Sequence, residues 1–375
     1  MRILVIGFLN PYTTKGGGVE TYTRKVSEYL KRKGALVTAA YATFRRDVEK
    51  YSGAYEIYIP PVIHKMGLSK FYYNIVIYLL VRKHIDDFDI VHINGDNGVF
   101  VPFIRNIGTI MTLHGSTLES LRSQTFGFKP KSILRCVLAI FNGFLENLAC
   151  KRSDRVISVS KSTQEYFERA TGRNDIITIP PCIDIPKNAE KKVIDYIEAM
   201  KDSGKFLVLW TGIDPIRKGL PLAKESVKNF DNVILFTVGY ADPIPSKNVI
   251  NLGYVQRDVL EYLQEICDIF LFPTKYEGLG IVVLEAMSHG LVPVASSIPP
   301  MKEIIDEGVN GFLANTQEEF ESKIAYLKTH REILPKLKAN ARQKSLQFDC
   351  NTLLDEVYKV FSSLEQCNPT KSVQD

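Results

Sequence analysis

Residues 273–290 read PTKYEGLGIVVLEAMSHG, and the organisation of the chain unfolds outward from them. The apolar run from Ile269 to Pro273 reads as a buried strand. A loop carrying Glu277 follows. Gly278-Leu279-Gly280 then opens a helix over 279–289, which carries Glu285. The first turn of a helix has backbone N–H groups without intrahelical partners at the positive end of its dipole, so this junction suits a phosphate. Glycines there let a ligand approach the main chain closely. Glu285 stands eight positions after Glu277, at most ~12 Å along a helix axis. One carboxylate can meet one end of an extended ligand while the second meets the other.

The same strand–loop–helix pattern repeats on both sides. Downstream of Phe206, strands are expected at Phe206 to Thr211, Val233 to Val238, Val249 to Leu252 and Val292 to Ala295, with helices near 217–229 and 256–266. Upstream, strands are expected at Ile3 to Gly7, Leu36 to Tyr41, Ile57 to Pro61, Ile90 to Ile93, Thr109 to His114 and Arg155 to Val159. Helices are expected at Val19 to Lys33 and Tyr72 to Lys83. Repeated βα units imply an α/β chain of two doubly wound parallel sheets, whose ligands bind at the carboxyl ends of the strands. Prolines 180, 181 and 186 mark a hinge. The expected division is a first domain over 1–183, a second over 184–348, and a helix and tail over 349–375 that cross back to the first.

Charged residues make up 24% of the 375 and hydrophobic residues 45%, which excludes a mostly disordered chain, a collagen and a coiled coil. Net charge is +5, unevenly spread: 25 Lys+Arg against 16 Asp+Glu over residues 1–185 gives +9, and 22 against 26 over the rest gives −4. A basic first half suits an acidic ligand or an anionic membrane surface, and no nucleic-acid motif accompanies it. The greasiest stretches, Ile75 to Val81 and Cys136 to Cys150, are too short or too polar for a spanning segment of ~20 apolar residues. The second is flanked by Lys129, Lys131, Arg135, Lys151, Arg152 and Arg155. Its simplest reading is an ordinary buried helix, with an interfacial lipid helix as the alternative. The six cysteines have no metal or redox spacing and read as reduced, buried thiols. The start MRILVIGFLNPY reads as a first strand rather than a secretion signal, so a cytoplasmic protein, peripheral at most on the inner membrane face, is expected.

Three further segments carry chemistry. TGIDPIRKG, 211–219, places Gly212, Arg217 and Lys218 after a strand, where a cation pair can hold a diphosphate as it leaves. TLHGS, 112–116, puts His114 at a strand end of the first domain. GGGVE, 16–20, offers Gly17 and Gly18 as a phosphate nest before a helix. It is not a dinucleotide fingerprint, which disfavours a dehydrogenase. The sequence is read as lacking an Asp-x-Asp pair, and metal independence is expected.

With these residues in view, Glu277-x7-Glu285 within EGLGIVVLEAMSHGLVPVAS resembles the signature of the family-4 retaining glycosyltransferases, which have the GT-B fold of two Rossmann-like domains facing across a deep cleft. The resemblance runs from GGGVE to NGFLA at 310–314. It implies that Glu277 lies beside the transferred sugar and that Glu285 binds the nucleotide ribose. It also implies that the amides of Leu279, Gly280 and Ile281 hold the diphosphate, with Gly278 in the same turn. Arg217 and Lys218 would match the family's basic site, His114 the histidine near the transferred sugar, and Gly17 and Gly18 the loop over the donor. The sequence departs where many members have arginine after the glycine: Ile213 follows Gly212. The implied activity is transfer from a nucleotide diphosphate sugar (UDP- or GDP-linked), with no other cofactor, to a lipid, polysaccharide or small-molecule acceptor with retained configuration. A nucleotide-sugar epimerase and a non-catalytic sugar-nucleotide-binding subunit are the competing readings.

Overall fold

The computed structural model describes residues 1–12, 17–44, 54–123, 130–186, 204–242 and 244–367. The chain divides into two compact units, Met1–Cys182 with Asn351–Asp375, and Ile183–Cys350.

In the first unit the strands are β1 (Arg2–Ile6), β2 (Leu36–Thr43), β3 (Ala54–Tyr58), β4 (Ile90–Asn94), β5 (Gly108–Leu113), β6 (Arg155–Ser158) and β7 (Ile177–Thr178). Its helices are α1 (Gly18–Arg32), α2 (Pro61–Lys65), α3 (Ser69–Lys83), α4 (Thr117–Arg122), α5 (Pro130–Arg152) and α6 (Lys161–Thr171). The strands form one parallel sheet in the order β3-β2-β1-β4-β5-β6-β7. Every residue of β4 and β5 is buried, because helices cover both faces and no strand face meets water.

The second unit repeats this plan. Its strands are β8 (Phe206–Thr211), β9 (Val233–Val238), β10 (Val249–Gly253), β11 (Ile269–Phe272), β12 (Val292–Ser296) and β13 (Phe312–Ala314). Its helices are α7 (Leu220–Val227), α8 (Arg257–Ile266), α9 (Ile281–Ser288), α10 (Pro299–Ile304), α11 (Gln317–Thr329) and α12 (Leu334–Ser345). The parallel order is β10-β9-β8-β11-β12-β13. In each sheet the winding direction reverses beside the first strand, between β1 and β4 and between β8 and β11. That reversal opens the crevice where doubly wound sheets take ligands.

The last helix, α13 (Cys350–Cys367), packs on the first unit. Tyr29 Oη donates to Asp355 at 2.6 Å, Met1 N pairs with Glu365 at 3.3 Å, and the Phe361 ring meets buried His92 edge-on at 5.2 Å.

Two expectations need correction. Cys182 and Cys350 are disulfide-bonded rather than reduced, while Cys136, Cys150 and Cys267 are free. The helix containing Cys136 to Cys150 is not the ordinary buried helix it resembled. Val137, Ile140, Phe141, Phe144 and Leu148 of α5 are exposed, because only the face with Leu145, Glu146, Ala149 and Cys150 meets the unit's interior. Among the described residues, no helix is long and apolar enough to cross a membrane.

Candidate active site

The loops after β8 and β11 flank the switch point of the second sheet, and their side chains meet there. Arg217 Nη1 donates to Glu277 Oε1 at 2.9 Å and to the Tyr276 carbonyl at 2.8 Å. Lys218 Nζ lies 3.6 Å from the same Glu277 oxygen and 4.9 Å from the centre of the Phe272 ring. Thr274 Oγ1 completes the surroundings of that oxygen at 3.3 Å. Arg217, Lys218 and Glu277 thus form one cation–carboxylate cluster, although 59 positions separate the nearest members across the two loops, Lys218 and Glu277.

Local backbone rules explain why the cluster forms. The expected helix over 217–229 starts later, at Leu220, because Gly219 takes a left-handed conformation with φ of 71°. Arg217 and Lys218 therefore lie in a turn closed by the Lys218 N–H on Asp214 O at 3.0 Å. Trp210 Nε1 donates to the Lys218 carbonyl at 3.0 Å, so the fully buried indole anchors the turn. A side chain at Gly219 would collide with the Pro273 carbonyl, and only glycine lets the two loops approach this closely. Gly212, whose space for a Cβ is filled by the Lys218 stem, leads into the turn. The neighbouring Ile213 is half-exposed and brings no charge.

The segment after Glu277 reaches α9 in the same way. Gly278 continues the loop, Leu279 is buried, and Gly280 caps the helix with φ of 97°. The expected helix start at 279 moves to Ile281 for that reason. Ile281, Val282 and Glu285 form the partly exposed side of α9, while Val283, Leu284, Ala286 and Met287 are buried. Glu285 lies one turn beyond Ile281 on this open side. Its charge is felt by the Arg257 guanidinium at the start of α8, which Glu261, Asp184 and Glu285 together hold above its ordinary value.

In the first unit, His114 follows β5. Its Nε2 lies 3.0 Å from Asn94 Oδ1 at the end of β4. The Asn94 amide nitrogen donates to the Ile6 carbonyl at 3.1 Å, which turns Oδ1 toward the ring and makes Nε2–H the donor. Burial pushes the His114 pKa down to about 4, so the imidazole is neutral near pH 7 and Nδ1 is its acceptor. The ring packs edge-on against Tyr22 at 5.0 Å. At the start of α1, the Gly17 N–H donates to Glu20 Oε2 at 2.8 Å, and Gly18 is the first helical residue. Gly16 lies outside the described residues.

Some site residues left little trace in the sequence. Asn94 sets the His114 tautomer, and Thr274 supports Glu277. Just past β4, Asp96 binds Lys70 Nζ at 2.6 Å and Asn142 Nδ2 at 2.5 Å. Nearby Glu146 is buried, accepts the Thr117 N–H at 2.9 Å, and has its pKa raised to about 8 by burial and the Asp96 charge. The available signal was position alone: Asn94-Gly95-Asp96 follows an apolar strand at a sheet edge that takes ligands. An Asp-x-Asp spacing does occur at Asp87-Phe88-Asp89, ahead of β4 at the opposite end of the strand. Asp89 is held there by Arg2 at 2.7 Å and Asp87 by His84 at 2.8 Å.

Two Rossmann-like units, with a cation–carboxylate cluster at the switch point of the second, make this a GT-B chain of the glycosyltransferase class. Family models sharpen the class. "Glycosyltransferase Family 4" matches residues 16–187 and "Glycosyl transferases group 1" matches residues 198–344. The chain belongs to this family of group 1, family-4 glycosyltransferases. It is 25% identical over 331 residues to the phosphatidyl-myo-inositol mannosyltransferase of Mycobacterium tuberculosis, covering 82% of each chain. Its fold matches sucrose-phosphate synthase from Thermosynechococcus elongatus with a TM-score of 0.80 at 18% identity, over 98% of this chain and 99% of that one. It also matches the Anabaena HepE protein in complex with UDP-glucose, with a TM-score of 0.71 at 21% identity, over 97% and 100% of the two chains.

Proposed function

We propose that the protein moves a sugar from a UDP- or GDP-sugar to a lipid-linked, glycan or small-molecule acceptor, with retention of anomeric configuration and without a metal ion. The observation that carries this reading is the Arg217–Lys218–Glu277 cluster, three residues ahead of the α9 cap. Glu277 holds the two cations in place. A diphosphate seated on the amides of Leu279, Gly280 and Ile281 competes for them, and a dianion is the stronger partner. Arg217 and Lys218 then neutralise the departing diphosphate. Glu277, relieved of its cations, accepts hydrogen bonds from the sugar hydroxyls. Glu285, on the open side of α9, takes the ribose hydroxyls.

The first unit receives the acceptor. Neutral His114 accepts a hydrogen bond from a hydroxyl at Nδ1 and contributes no positive charge. Gly18 presents its amide to the donor phosphates, while the Gly17 amide stays tied to Glu20. A lipid acceptor is supported by the mycobacterial relative's activity, and a UDP donor by the UDP-glucose complex of the Anabaena protein.

The test is incubation with a panel of labelled UDP- and GDP-sugars and a membrane lipid extract, with and without chelator. The anomeric configuration of the product is read by NMR. Transfer with retention that survives chelation is expected. Epimerised donor without transfer would assign an epimerase instead, and binding without turnover a non-catalytic subunit.

A further inference from the structure

The hydrogen bond between His114 and Asn94 joins the loops after β5 and β4. Each loop has a second anchorage, on α5, that the donor chemistry does not explain. Two residues past Asn94, Asp96 accepts from Asn142 Nδ2 at 2.5 Å. Three residues past His114, the Thr117 N–H donates to Glu146 Oε2 at 2.9 Å. Asn142 and Glu146 stand one turn apart on the same side of the helix. Gly143 lies between them, and a Cβ there would sit 2.5 Å from Leu118 Cγ. Glycine therefore lets α4, and the loop that leads into it, approach α5 closely. Two loops and one helix close a circuit, with Asn94–His114 on one side and Asp96–Asn142 and Thr117–Glu146 on the other.

The chemistry of Glu146 argues that this circuit does more than pack the unit. The residue is buried, and burying a carboxyl costs free energy that an apolar residue at the same place would not. Burial and the Asp96 charge keep it a neutral acid near pH 7, while Lys70 of α3 neutralises Asp96 through both carboxylate oxygens. What the Thr117 bond secures is the course of the chain after His114. Gly115 turns there with φ of 124° and has no side chain to hold. Ser116 Oγ accepts the Glu119 N–H at 3.3 Å as the cap of α4. The Thr117 amide is tied to a different element altogether.

We infer that Glu146 is a positioning residue of the proposed acceptor site: by holding the Thr117 amide it fixes the loop after β5, so that the His114 imidazole keeps Nε2–H on Asn94 and leaves Nδ1 for the acceptor hydroxyl. Asn142 secures the other partner of that bond through Asp96. The inference deepens the role proposed for His114 and rests on it only for the effect on turnover.

The test breaks the bond from both sides. Glu146→Leu removes the acceptor at similar volume, and Glu146→Gln leaves a neutral carbonyl acceptor in place. Thr117→Pro removes the donor. Thr117 is the first residue of α4, where proline is favoured, and Ser116 before it is already extended, with φ of −97° and ψ of 130°. Transfer from labelled UDP- and GDP-sugars to a membrane lipid extract is followed with the full chain. NMR of ¹⁵N-labelled histidines reads both ring nitrogens of His114, identified as the signals missing from His114→Gln. Glu146→Leu and Thr117→Pro should each lower kcat about 10–100-fold, keep the donor KM within about twofold, and replace the single His114 tautomer by a mixture. Their combination should be no slower than either alone, since both remove one bond. Glu146→Gln should retain kcat within about threefold of native, together with native His114 signals. Melting curves identify the folded variants, and either single variant suffices if the other does not fold. Native kcat in the folded variants, a loss that Glu146→Gln shares, or native His114 signals in a slowed variant would each overturn the inference. Should His114→Gln transfer sugar at the native rate, the role given to His114 fails, while its ring signals still decide whether Glu146 holds it.

Discussion

Arg217 and Glu277 join the loops after β8 and β11 through a 2.9 Å hydrogen bond between Nη1 and Oε1. The side chains are 26% and 12% exposed, so the pair is neither a screened surface contact nor a fully desolvated one. Arg217 also holds the Tyr276 carbonyl. The charges proposed to meet the donor are consequently held in position by the protein itself, which would leave little reorganisation for a binding step.

Glu277→Ala and Lys218→Ala should each lower turnover about 10²–10³-fold, the usual cost of removing one preorganised charge or donor at a reacting centre. Melting temperatures should move less than turnover, because Arg217 retains the Tyr276 carbonyl in both variants and other loop contacts, such as Trp210 Nε1 on the Lys218 carbonyl, are made to the main chain. Steady-state transfer assays together with thermal melts check both halves. Native turnover in both variants would remove the site assignment.

How far the sequence reveals this site depends on the kind of signal each part leaves. Glu277, Glu285 and the glycines between them are legible because a strand, a turn and a helix start follow one another locally. The start of the helix after Lys218 is misjudged by three residues, because propensity runs through Gly219 and only the close approach of the Pro273 carbonyl dictates its left-handed backbone. Strands β7 and β13 are two and three residues long, too short for any periodicity to register. Asn94, Asp96 and Glu146 are invisible for a different reason: their roles arise from packing between β4, α3 and α5. The exposure of Phe141 and Phe144 is likewise unreadable, since an apolar helix face has the same pattern whether it is covered or open.

Glu285→Ala should weaken nucleotide-sugar binding about 10–100-fold, the loss expected for hydrogen bonds to a charged group, and change turnover at saturating donor only slightly. Calorimetric titration with a UDP-sugar and a GDP-sugar measures the first, and saturation kinetics the second. Unchanged affinity for a donor that the enzyme uses would exclude the ribose contact.

Gly219→Ala and Gly280→Ala should separate two kinds of strain. Both positions have positive φ, costing roughly 1–2 kcal/mol for a residue with a Cβ. At Gly219 the new methyl also meets the Pro273 backbone, which cannot yield without moving the loop that carries Glu277. At Gly280 it meets the end of the flexible Met301 side chain. Gly219→Ala should therefore be the more destabilising by urea denaturation, followed through the fluorescence of the single tryptophan, Trp210. Equal losses for the two variants would contradict the loop-contact argument.

The first unit should be most stable near pH 6.5, set by three buried groups of opposite sense. Burial holds His92 at about 3 and His114 at about 4, below their ordinary 6.5. Depressed histidines stabilise fully above 6.5, and that contribution drains away as pH falls toward their folded values. Glu146, raised to about 8 from 4.5, works the other way: its contribution is complete below 4.5 and is lost as pH rises toward 8. Between about pH 4.5 and 6.5 the unfolded chain binds two protons more at the histidines and one fewer at the glutamate. Stability then climbs by roughly 1.4 kcal/mol per pH unit. From 6.5 to 8 only the glutamate contributes, and stability falls at about the same rate. Trp210 reports on the other unit, so the measurement is hydrogen exchange at the β4 and β5 amides across this range. Glu146→Gln should abolish the alkaline decline and steepen the acid limb to roughly 2.8 kcal/mol per pH unit, because only the two histidines then contribute. A decline above pH 6.5 that persists in Glu146→Gln would show that the buried carboxyl is not its source.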